Sequence, residues 1–114
     1  MLTVYGIPNC DTCRKARKWL ESRGHDYTFH DLRIDGLSRR MLERWLQACD
    51  WPSLLNKRST TWRAIPAAER QNIDRNQAIA LMLAHPTLVK RPVLESGAIV
   101  CVGFAPARYQ EITR

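Results

Sequence analysis

Long hydrophobic runs are missing from this 114-residue sequence: no stretch approaches the roughly 18 apolar residues of a membrane span. The N-terminus, MLTVYGIPNC, lacks the pattern of a secretory signal and runs straight into a strand-like segment, so a cytoplasmic location without membrane partners is expected. Low-complexity tracts are also lacking. With 45% hydrophobic and 25% charged residues, the composition is that of one globular domain, 1–114, able to close a core without staples. No second CxxC and no His pair accompanies Cys10 and Cys13; His25, His30, His85, Cys49 and Cys101 are scattered singly, which argues against a metal site. In a compartment that keeps thiols reduced, four cysteines do not form a disulfide framework, and Cys49 and Cys101 read as core residues. Acidic residues are scarce, 11 against 18 Lys and Arg, and the net charge of +7 favours an anionic partner. The cations are dispersed and no nucleic-acid motif accompanies them, so direct nucleic-acid contact is not expected. The chain is expected to be a monomer.

What the sequence does contain is an alternation of strand and helix signals. LTVYG reads as a buried strand ended by Gly6 and Pro8, and a loop then carries Asn9 to Thr12. Cys13, Ala16, Trp19 and Leu20 recur at helical spacing from about 13 to 23, with Gly24 as a stop. DYTFHDLR gives a second strand, and the βαβ order implies a parallel pair. Ser38 is a candidate N-cap for a helix whose Met41, Leu42, Trp45, Leu46 and Cys49 share a face, and a further helix is expected over about 74–85. RPVLESGAIVCVGF reads as a hairpin turning around Glu95, Ser96 and Gly97, followed by a closing helix over 105–113. The fold class is therefore α/β: a thioredoxin-like, glutaredoxin-like mixed sheet with a helical insertion, about 38–85, between the βαβ unit and the C-terminal hairpin and helix.

The CxxC pair, in YGIPNCDTCRKAR, could be a metal clamp, a structural disulfide or a reactive thiol. A thiolate is favoured by the partial positive charge of a helix N-terminus and by nearby cations. Cys10 stands just before the helix and is the expected nucleophile, with its pKa depressed; Cys13, inside the first turn, comes round on nearly the same side and can resolve a mixed disulfide. In this layout the proline of KRPV, Pro92, typically follows a cis bond against the active cysteine, which would carry Arg91 to the thiol. Lys57, Arg58 and Arg63, taken alone, read as solvated charges.

Over nearly the whole chain, YGIPNCDTCRKARKWL, FHDLRIDGL, LLNKRSTTWR, HPTLVKRPVL and VGF resemble the arsenate reductase C (ArsC) family, in particular its Spx and YffB branches. FHDLRIDGL and RSTTWR look most like the YffB branch, which implies a glutathione-dependent thiol reductase. CDTCRKAR is similar to Spx, which implies a redox-sensing regulator that binds the RNA polymerase alpha subunit. By this resemblance Cys10 is the nucleophile, Arg58 and Arg91 lie near the anion or thiolate, Pro92 is the cis proline, and Asn9 and Thr12 flank the substrate. Glutathione is then the expected co-substrate, with no bound cofactor and with glutathione or a thioredoxin-like or glutaredoxin-like protein as partner. Arsenate reductases carry a further arginine where this sequence has Gly103 and Phe104, which places arsenate reduction third. The C-terminal part is shorter than in Spx, which places the regulator second.

Overall fold

The computed structural model describes all 114 residues, and the chain separates into two compact units: Met1–Gly36 with Arg91–Arg114, and Leu37–Lys90. In the first unit, β1 (Leu2–Gly6), α1 (Asp11–Ser22) and β2 (Tyr27–Asp31) form the expected βαβ crossover, with β1 and β2 parallel. The hairpin β3 (Val93–Ser96) and β4 (Ile99–Val102) adds antiparallel to β1, giving the order β2-β1-β3-β4. Helix α7 (Pro106–Ile112) closes the unit. This is a thioredoxin-like fold, with the helical segment inserted between β2 and β3.

The register fixes which side chains reach α1. Pairing of Val4 with Phe29 and Leu94, and of Leu94 with Cys101, puts these residues on one face. That face packs with Ala16, Leu20 and Tyr109, all fully buried, while Trp19 and Phe104 meet the Tyr109 ring edge-on at 5.8 and 5.0 Å. Alternation puts Tyr5 and Glu95 on the opposite face, where the Tyr5 hydroxyl donates to Glu95 Oε1 at 2.7 Å. Glu95 is therefore a buried strand residue and not part of the turn, which consists of Gly97, at φ +59°, and Ala98.

The second unit holds α2 (Arg39–Trp45), α3 (Trp51–Leu54), α4 (Thr60–Ala64), α5 (Ala67–Arg70) and α6 (Arg75–Ala84). Its bounds are 37–90, wider than the expected 38–85. Short helices need side-chain partners for their free N–H groups, and Ser38, Asp50, Ser59 and Asp74 cap four of the five. Leu42, Trp45, Leu54, Ile79, Met82 and Leu88 are its fully buried large residues, with Leu55 nearly so. Two expectations fail here: Cys49 neither continues the α2 helix nor lies in the core. Helix α2 stops at Trp45, so Cys49 lies in the following turn, half-buried, its thiol donating to the Trp45 carbonyl at 3.4 Å. Burial and the neighbouring Asp50 charge push the Cys49 thiol pKa up. No helix is long and apolar enough to cross a membrane.

Truncating Tyr109 to Ala removes the ring that Trp19 and Phe104 pack against. We expect a loss of about 3–5 kcal/mol in urea denaturation, as for other buried aromatics, whereas Ile34→Ala, at an 82%-exposed position, should change little.

Candidate active site

Helix α1 begins two residues earlier than periodicity suggests, at Asp11, because the polar Asp11 and Thr12 complete a first turn that carries no apolar signal. Cys10 is consequently the N-cap, in extended conformation at φ −108° and ψ 123°, and Thr12 belongs to the helix instead of the loop. The Arg14 N–H donates to the Cys10 carbonyl at 2.9 Å, which closes the turn and fixes where the Cys10 side chain starts. Asn9 and Thr12, on either side, are exposed.

The bond between Arg91 and Pro92 is cis. Arg91 is brought to Cys10, where it acts through both a hydrogen bond and its charge. Burial by itself would raise the Cys10 pKa. Against it stand the Cys13 N–H, the Cys13 thiol and the Arg91 guanidinium, and together they bring the thiol below its ordinary value. The Cys10 sulfur makes no helix-cap hydrogen bond, and the nearby Cys13 N–H acts on its pKa alone.

Cys13 behaves oppositely. It is fully buried, and desolvation drives its pKa to about 11, helped by its hydrogen bond to Cys10 and repulsion from a thiolate there; the Ile7 N–H and the Arg91 charge only partly offset this. The pair therefore holds one thiol that ionises below its ordinary value and one that keeps its proton up to about 11.

One residue of this arrangement escapes the sequence. A Cβ placed on Gly6 would lie 2.5 Å from Cys13 Sγ, so β1 can meet α1 at this point only without a side chain. Gly6 reads from sequence as a strand breaker. In the structure it is the last residue of β1, buried and paired with Asp31, and the signal for its role is the steric one. Arg58 belongs to the second unit: its N–H donates to Asn56 Oδ1 at 3.0 Å, and its side chain, with Lys57 and Lys90, lines a cavity of about 350 Å³. Cys101 is buried in the sheet core as expected, its thiol pKa raised by burial. No group of three or more His, Cys, Asp or Glu side chains is arranged to hold a metal ion.

A model of the ArsC family matches residues 5–112. The chain belongs to the ArsC family. Among solved structures, an arsenate reductase (ArsC) related protein from Brucella melitensis is 51% identical, with 96% of this chain and 92% of that one covered and a TM-score of 0.77. The YffB protein is 42% identical over 98% of both chains, with a TM-score of 0.95. The global transcriptional regulator Spx 2 of Lactococcus lactis is 27% identical, covering 91% of this ArsC-family chain and 80% of the regulator.

Four outcomes are expected. Alkylation of Cys10 by iodoacetamide should follow a pH midpoint below that of a free thiol, while Cys13 should react only as pH nears about 11. Because the Cys10 pKa is depressed on folding, its thiolate stabilises the fold above the ordinary thiol pKa, and this contribution fades as pH falls through the lowered value. Arg91→Ala should move the Cys10 midpoint up; Lys18→Ala, at an exposed position, should leave it in place. Gly6→Ala should displace Cys13 Sγ, remove its hydrogen bond to Cys10 and also raise the Cys10 midpoint, with Arg91 still present.

Proposed function

We propose that this chain is a thiol–disulfide oxidoreductase with Cys10 as nucleophile, Cys13 as resolving thiol and glutathione as the reducing co-substrate. The observation that carries this reading is the opposite displacement of two neighbouring thiols, Cys10 down and Cys13 up to about 11, with Arg91 on Cys10. A nucleophile must be thiolate at working pH, and a resolving thiol must keep its proton until the mixed disulfide has formed.

The steps follow from those two states. Cys10 thiolate attacks one sulfur of a substrate disulfide, forms the mixed disulfide and releases the other half as a thiolate that takes a proton from water. With the negative charge gone from Cys10, the main obstacle to ionising Cys13 besides burial disappears. Cys13 loses its proton, attacks Cys10 Sγ, expels the second substrate thiolate and leaves a Cys10–Cys13 disulfide. Two glutathione thiols reduce that disulfide and leave as oxidised glutathione, so one substrate disulfide is reduced for each pair of glutathiones oxidised. Asn9, Thr12, Pro92 and Arg91 flank the attacking sulfur in this reading.

Incubation with oxidised glutathione followed by intact-mass analysis tests the roles. The adduct should disappear in Cys10→Ser and accumulate in Cys13→Ser, where nothing resolves it. An adduct that survives in Cys10→Ser overturns the assignment.

The relation to Spx 2 favours a second reading, in which the Cys10–Cys13 disulfide switches affinity for the RNA polymerase alpha subunit. Capture of that subunit by one redox form alone would support it, and absence of capture by either form would exclude it. Arsenate reduction ranks below both: by the family resemblance an arginine is expected in the region of Gly103 and Phe104, and this chain has none there.

A further inference from the structure

A groove of about 490 Å³ runs along the outer side of α1, lined by Lys15, Lys18, Trp19, Ser22, Phe104 and Pro106. The four α1 residues fall at i, i+3, i+4 and i+7, one stripe beside the buried stripe of Cys13, Ala16 and Leu20. Trp19 and Phe104 are only half-buried. Each packs at right angles to the Tyr109 ring; Arg23 also lies 4.2 Å over the Trp19 ring and His25 stacks with it at 6.2 Å, and the apolar surface that these contacts leave open lines the groove.

The charges around the groove are sorted in a way that indicates its occupant. Most cations of this region already have partners: Arg14 pairs with Asp11, Arg108 pairs with Glu111 at 3.2 Å, and Arg17 lies 4.0 Å over Phe29 while donating to the Tyr27 hydroxyl. Lys15 and Lys18 have none. They are exposed, make no ion pair, and are the two cations that line the groove. An apolar floor of fixed aromatic rings below two unpaired ammonium groups complements a segment that is both acidic and apolar.

We propose that this groove is a docking surface for an acidic segment of a partner protein that carries a large apolar side chain, the carboxylates meeting Lys15 and Lys18 and the side chain covering Trp19 and Phe104. At a rise of 1.5 Å per residue, Lys15 lies about 7.5 Å and Trp19 about 13.5 Å along the helix from Cys10. A protein held here lies along the helix whose N-cap is Cys10, which adds protein selection to a site whose chemistry needs only a disulfide. Docking does not depend on that chemistry and persists without the Cys10 thiol.

The test uses full-length 15N-labelled Cys10→Ser protein titrated with the peptide Glu-Asp-Glu-Leu-Phe-Asp-Glu, followed by NMR. Saturable shifts of the Trp19 indole N–H and of the Phe104 and Lys18 amides are expected. Affinity should fall at least tenfold in Lys15→Glu/Lys18→Glu, whose positions are exposed and whose fold should be intact, and at least tenfold for a peptide of equal charge with Ser in place of Leu and Phe. Absence of saturable shifts at these residues overturns the proposal. So does equal binding of the serine peptide, which would mean charge attraction alone, or equal binding by the double variant. Because the thiol is absent throughout, failure here leaves the glutathione experiment on Cys10 unaffected.

Discussion

Cys13 can be buried beside Cys10 only because Gly6, at the end of β1, has no side chain to occupy the place of the Cys13 sulfur. From that close approach the rest of the site follows. Burying Cys13, Ala16 and Leu20 in one stripe docks α1 on the sheet, and the docked helix sets its N-cap, Cys10, at the carboxyl end of β1. The same burial that makes Cys13 costly to ionise makes it a hydrogen-bond donor to its neighbour. A sheet face and a helix stripe, set up for packing, thus also divide one proton unequally between two thiols.

Arg91 completes the division from the other side of the sheet order. β3 lies next to β1, and the chain reaching β3 passes Cys10 at the cis Arg91–Pro92 bond, so the cation arrives from a segment some eighty residues away in sequence. The four cations nearest in sequence, Arg14, Lys15, Arg17 and Lys18, contribute no comparable effect. Arg14 is occupied by Asp11, Arg17 by Tyr27 and Phe29, and the lysines face solvent, where screening weakens them. Position relative to the sulfur decides the outcome, and the number of positive charges nearby does not.

Much of this was legible in the residues. The β1–α1–β2 order, the hairpin and the closing helix follow from periodicity and breakers, and so does the place of Cys10 just before a helix. Other features depend on contacts between distant residues. Gly6 looks like a strand breaker until Cys13 is seen against it. Asp11 and Thr12 look like loop because a first helical turn needs no apolar residue, and Glu95 looks like a turn residue until Tyr5, ninety positions away, is found donating to it. Cys49 continues an apolar helical pattern that the chain abandons at Trp45, since the caps at Ser38 and Asp50 divide the segment into two short helices.

Fold geometry, acting through burial, Cys13 and Arg91, separates the two thiols of a CxxC pair in opposite directions. Titration of the reduced protein with 13Cβ-labelled cysteine, followed by NMR, reads all four thiols in one sample. Cys10 should titrate first, below the ordinary thiol value, and Cys13 at about 11. A Cys10 midpoint at or above that of a free thiol, or a Cys13 that titrates before Cys10, would contradict this.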